Sequence, residues 1–142
     1  MEPDLADCYY QSGLQGDGKP VNVGGDMQTL MAGLACGEPN IVGFEILKNY
    51  ATAFLSCPDY VAAKGMRVLA APLKGDKPVT SGESGAATLG ALFNILKDES
   101  YAELKKELKL DENSKILFFS TEGDTDPEKY RDIVWDGEYR TK

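Results

Sequence analysis

One stretch constrains this chain more than any other: Pro78 to Leu96, Pro-Val-Thr-Ser-Gly-Glu-Ser-Gly-Ala-Ala-Thr-Leu-Gly-Ala-Leu-Phe-Asn-Ile-Leu. It reads as a short β-run, a tight glycine turn and then a helix. Ser81 or Ser84 is placed to cap that helix by accepting a backbone N–H bond. Leu89, Leu92, Phe93 and Leu96 recur at helical spacing, which predicts a stripe to bury. Gly82, Ser84, Gly85, Ala86 and Ala87 are all small, so another group can approach the backbone closely there. Glu83 stands at the mouth of the helix. A strand entering a helix through such a turn is where parallel α/β sheets place ligands. The same small residues also serve a junction that is merely packed tightly, and the pattern alone leaves both readings open.

The bulk numbers set the frame. With 142 residues, the chain is long enough for one domain with a true core, read here as a single truncated α/β domain over residues 1–142. A net charge of −8 argues against nucleic acid and anionic membranes, which need a basic surface. No apolar run is long enough to span a bilayer, and no basic start leads into an apolar leader. The expected location is cytoplasmic. Histidine is absent, which rules out Ser–His and Cys–His nucleophilic pairs within this chain. Cys8, Cys36 and Cys57 lack the CxxC spacing of a zinc site. Proton transfer would therefore fall to carboxylates, lysine or tyrosine.

In chain order, Leu5 to Tyr10 reads as a short helix and Ser12 to Pro20 as a glycine-rich loop. Met27 to Cys36 reads as a helix with Leu30, Met31, Leu34 and Ala35 inward, and Ile41 to Tyr50 as another. Thr52 to Ser56 is a short apolar run, the mark of a strand covered on both faces. Pro58-Asp59 opens a helix to about Leu69. A charged amphipathic helix covers Ser100 to Leu110. Lys115 to Ser120 is the strongest strand pattern in the chain, and it runs into Thr121-Glu-Gly-Asp-Thr-Asp. Pro127 then suits the first turn of a last helix. Alternating strands and helices predict an α/β fold, a partial parallel sheet flanked by helices. Two strand ends carry hydroxyls, Ser81–Ser84 and Ser120–Thr121, and a parallel sheet brings such ends to one edge. Neither matches a phosphate-loop spacing. The acids of Thr121 to Asp126 suit helix N-capping, or a cation. Cys8 and Cys36 lie on two short helices joined by a glycine-rich segment, so they are expected to approach each other.

Four motifs together carry a resemblance: Asn22-Val-Gly-Gly-Asp-Met, Met31-Ala-Gly-Leu-Ala-Cys-Gly-Glu-Pro, Ser81-Gly-Glu-Ser-Gly-Ala-Ala and Ser120-Thr-Glu-Gly-Asp-Thr-Asp. In this order they resemble the C-terminal part of the diaminopropionate ammonia-lyase family, from Glu2 to about Gly137. The resemblance implies a fragment of the large domain of a tryptophan-synthase β-like fold that binds pyridoxal 5′-phosphate. It implies an α,β-elimination that turns 2,3-diaminopropionate into pyruvate and ammonia, in a homo-oligomer. Residue by residue, it implies that Ser120, with Thr121 as runner-up, meets the pyridine nitrogen of the cofactor. It further implies that Glu83 lies near the ring and that Gly33 lines the pocket with its backbone. The family's Schiff-base lysine, its phosphate loop and its proton-handling acids have no matching residue here. The implied fragment is therefore inactive alone. The alternative is a non-catalytic truncated α/β module that self-associates or binds a partner chain.

Overall fold

Glu2 and Pro3 form strand β1, paired in parallel with β2, Ser56–Cys57, in the register Glu2 to Ser56 and Pro3 to Cys57. A computed structural model of the chain describes residues 1–140, grouped in two compact units, Met1–Pro58 and the described residues from Asp59 onward. In the first unit the β1 backbone is tied down on both sides, by Glu2 N to Leu55 O and Asp4 N to Cys57 O, both at 2.9 Å. Pro3 has no N–H to give, which a strand this short tolerates. The buried Glu2 carboxylate accepts from the backbone N–H groups of Tyr9 (2.9 Å) and Tyr10 (2.7 Å). These are free donors at the start of helix α1, Cys8–Gln15. Asp7, at the N-cap itself, makes no side-chain cap bond. The helix thus starts where a strand residue can hold it, three residues later than the sequence reading and running on to Gln15. It stops at Gly16, whose φ of 71° is the left-handed conformation favoured at helix C-termini.

Helix α2, Ile41–Tyr50, is capped by Asn40, whose side chain accepts from Gly43 N at 2.8 Å, and it buries Phe44. The helix read over Met27 to Cys36 does not form. Only a 3₁₀ turn appears, Ala32–Leu34, with Gly33 exposed on it. The cause is nonlocal: Cys36 makes a parallel bridge with Asp7, and Val23 N donates to Gly37 O at 2.8 Å. Extended pairing at both flanks is incompatible with a helix through them. Leu30 and Met31 are nevertheless buried, whereas Leu34 is half-buried and Ala35 is exposed, because the inward stripe needed the helix that does not form.

The second unit holds α3, Asp59–Ala70; α4, Glu83–Lys97; α5, Ala102–Glu107, after a 3₁₀ turn at Glu99–Tyr101; and α6, Pro127–Val134. Helices α3 and α4 meet backbone to backbone. A Cβ added to Gly90 would fall 1.9 Å from Val61 O, and one added to Gly65 would fall 2.0 Å from Ala86 O. Such an approach selects the small face of α4, so Ala86, Ala87, Gly90 and Ile95 are buried. The leucine stripe takes second place, with Leu89, Leu92 and Phe93 half-buried and Leu96 exposed. Phe93 is instead covered by Lys64, whose ammonium lies 4.8 Å from the ring centre. Helix α6 starts at Pro127, is capped by Asp126 accepting from Lys129 N at 3.0 Å, and fully buries Ile133. Its far end is gripped by Arg67, which donates to Ile133 O (3.2 Å) and Glu138 O (3.0 Å). Burial lowers the pKa of that guanidinium, and neighbouring Arg140 adds to the effect.

The fold is α/β, with a parallel sheet and flanking helices, but its strands are not where the apolar runs lie. Among the described residues, neither Lys115–Ser120 nor Val79–Ser81 forms a strand, and of the Thr52–Ser56 run only Ser56 belongs to one. A ladder needs a hydrogen-bonded neighbour as well as suitable side chains. Leu117 and Phe119 are each 77% exposed along the first of these segments. No helix among the described residues is long and apolar enough to cross a membrane.

Candidate functional site

The two hydroxyl-bearing segments meet. Ser81 is fully buried, and its Oγ lies 2.7 Å from Ser120 Oγ. The backbones touch as well, with Gly82 N donating to Glu122 O at 3.2 Å. Glu122 then reaches across with its side chain: Oε1 accepts from Ser84 N at 3.1 Å. That bond does the work expected of Ser81 or Ser84. The N-cap of α4 is Gly82, which has no side chain to offer, and the carboxylate of a distant loop satisfies a free N–H in the first turn. An acid at this end of the helix is also favoured by its dipole.

The small residues of the turn now have causes. A Cβ on Gly82 would sit 2.6 Å from the Glu122 side chain, and one on Gly85 would sit 2.9 Å from both Ser81 Oγ and Ser120 Oγ. Ala86 and Gly90 serve the α3 contact. Packing and a polar cluster therefore share the motif. Ser84 Oγ is buried without a hydrogen-bond partner among the described residues.

Of the residues singled out from sequence, Ser120 joins the Ser81–Ser84 turn directly. It is exposed, and its Oγ lies 3.3 Å from Glu122 O. Thr121 follows it and is exposed; Glu83 is the first residue of α4 and half-buried. Gly33 belongs to the first unit. Sequence reasoning had grouped Glu122 with the acids that cap α6, and Asp126 alone does that. Neither Ser81 nor Ser84 caps α4; Ser81 pairs with Ser120 instead. The only sequence signal for either was the matching hydroxyl at the end of each extended run.

Cys8, Cys36 and Cys57 form no disulfide. The Asp7–Cys36 bridge brings Cys36 beside the residue preceding Cys8. Burial pushes the Cys8 thiol up to about 11, helped by the charge of Glu2, a hydrogen bond to it at 3.6 Å, and Cys36.

With that geometry in place, comparison with known proteins gives the class first. The fold is that of part of a pyridoxal-phosphate enzyme: the chain superposes with TM-score 0.88 and 50% identity on a crystal structure holding an aminoacrylate–PLP azomethine reaction intermediate, over 98% of this chain and 34% of that one. That enzyme is diaminopropionate ammonia-lyase from Escherichia coli, and its complex with D-serine matches with TM-score 0.87 and 51% identity. By sequence, the chain is 54% identical over 139 residues to the diaminopropionate ammonia-lyase of E. coli K12, covering 98% of this chain. It is 50% identical over 138 residues to that of Salmonella typhimurium LT2, covering 96%. The chain is thus homologous along nearly its whole length to diaminopropionate ammonia-lyase, and it spans about a third (34%) of the length of these relatives. No family model matches it.

Proposed function

We propose that this chain forms part of a cytoplasmic, homo-oligomeric pyridoxal-phosphate lyase acting on 2,3-diaminopropionate. Its share of the work is to hold the pyridine end of the cofactor. The observation that carries the reading is the joined Ser81–Ser120 cluster where the two hydroxyl-bearing segments meet, in a chain 50–54% identical to that lyase.

The residues present fit the cofactor at that end. Ser120 is exposed, and its hydroxyl meets Ser81 Oγ at 2.7 Å, where either oxygen can donate, and Glu122 O at 3.3 Å. A hydroxyl can donate to a ring nitrogen without transferring a proton to it, which a carboxylic acid would do more readily. The nearest carboxylate at the junction, Glu122, is already engaged by Ser84 N. Thr121 extends the hydroxyl edge, and Glu83 stands at the mouth of α4. When bound, pyridoxal phosphate supplies the electron sink for breaking bonds at the α and β carbons of an amino acid. The residues of this chain hold and orient the ring. A lysine to bond the cofactor and a loop to hold its phosphate match nothing here, so the isolated chain is inert.

A chimera tests this reading. Residues 1–140 of this chain replace the matching third of the E. coli enzyme. The chimera should bind pyridoxal phosphate saturably and release pyruvate from diaminopropionate, while the isolated chain releases none above free cofactor. A folded chimera that takes up no cofactor would overturn the proposal.

A further inference from the structure

The geometry points to Ser81 as a positioning residue that fixes the direction of the Ser120 hydroxyl proton. The inference rests on the reading of Ser120 given above. Two hydroxyl protons serve three short contacts: Ser81 Oγ to Gly82 O at 3.0 Å, Ser81 Oγ to Ser120 Oγ at 2.7 Å, and Ser120 Oγ to Glu122 O at 3.3 Å. Only two arrangements keep the central bond. In one, Ser120 donates to Ser81 and Ser81 donates to Gly82 O. The Ser120 proton is then turned inward and has nothing to give a ring nitrogen. In the other, Ser81 donates to Ser120, whose own proton is left with the longest of the three contacts and is the one most easily redirected outward.

An acceptor placed at Ser120 therefore selects the second arrangement, and Ser81 supports it by filling a lone pair of Ser120 Oγ. Chains of hydroxyls polarised in one direction strengthen each bond along the chain. Ser81 suits the task because it is fully buried, so water does not compete for its proton. Gly85 completes the device. Its missing Cβ leaves the space in which both oxygens lie, each 2.9 Å from where that carbon would be.

The test uses the chimera with pyridoxal phosphate bound, and its readouts are the absorption spectrum of the cofactor and its dissociation constant. Ser81→Ala should shift the spectrum in the same direction as Ser120→Ala and weaken binding severalfold. The double variant should match Ser120→Ala alone, because Ser81 acts only through Ser120. Gly85→Ala, which keeps both hydroxyls but displaces them, should reproduce the Ser81→Ala spectrum. Ser81→Cys puts a larger, weaker donor at the same place and should fall between wild type and Ser81→Ala. If Ser81→Ala lowers the melting temperature but leaves the spectrum unchanged, the residue is structural and the inference fails. Additive spectral effects in the double variant would overturn it too. A parent chimera without cofactor would instead refute the proposed function beneath it.

Discussion

Glu122 and Ser84 lie 38 positions apart, yet the carboxylate of the first accepts from the backbone N–H of the second at 3.1 Å. This bond joins the loop that carries Ser120 to the first turn of α4. It also explains why Gly82 must lack a side chain, since the Glu122 methylene occupies that space. Glu122→Ala removes a cap and should cost about 0.5–2 kcal/mol, the usual range for losing an N-cap acceptor. Chemical denaturation of the isolated chain measures this. Glu122→Gln, which keeps an acceptor oxygen, should recover most of the loss. Equal losses for both variants would show that the carboxylate charge, and not the bond, matters there.

The α3–α4 contact makes a sharper stability prediction. Gly90→Ala and Gly65→Ala each drive a methyl group into a backbone carbonyl at about half a normal contact distance. Helix propensity favours alanine by about 1 kcal/mol, but the clash forces the helices apart, and overpacking of this kind typically costs about 1–3 kcal/mol or more. Both variants should be less stable than wild type in urea. A gain in stability from either would mean that the helices are not in backbone contact.

The cysteines should differ in reactivity and in pH response. Cys36 is exposed and should alkylate first, with Cys8 and Cys57 protected by burial. The folded value of Cys8, about 11, lies above its ordinary 9.0. Folding therefore favours the neutral thiol. Its contribution is complete below the ordinary value and is lost as pH rises through the folded one. Melting temperatures from pH 9.0 toward 11 should fall for the wild type, and less steeply for Cys8→Ala. Parallel curves would remove Cys8 from the account.

Self-association follows from the exposed run Ile116 to Phe119. Leu117 and Phe119 are both 77% exposed on a segment that joins no ladder among the described residues. Unpaired apolar edges of this kind find partners, against the repulsion of a chain with net charge −8. Sedimentation at micromolar concentration should show species larger than a monomer, and Phe119→Lys should reduce them. A clean monomer for wild type would contradict this.

What the sequence made legible was local. Helix α2 spans Ile41–Tyr50 as its local pattern predicts, and α6 starts at Pro127 directly behind the acid Asp126 that caps it. The two hydroxyl-bearing segments could also be recognised singly. What was not legible depends on residues far apart. The Lys115–Ser120 pattern describes side chains suited to a strand, but pairing belongs to two segments at once. The Asp7–Cys36 bridge overrides the helical pattern of Met27 to Cys36. The leucines of α4 outweigh its glycines in any hydrophobicity count, yet the glycines permit the closer contact and so decide the buried face. Glu122 looked like one acid among several because nothing nearby reveals that it reaches Ser84.

The central claim is that Ser120 meets the pyridine nitrogen of a bound cofactor. The most direct measurement is the rate of pyruvate release from diaminopropionate by the chimera carrying Ser120→Ala, at saturating pyridoxal phosphate. Losing one hydrogen bond to the ring, about 1.5 kcal/mol, corresponds to roughly a tenfold slower rate. Covalent attachment of the cofactor should persist, because its lysine lies elsewhere. A rate at least tenfold lower with attachment intact is the predicted result. An unchanged rate would contradict the claim.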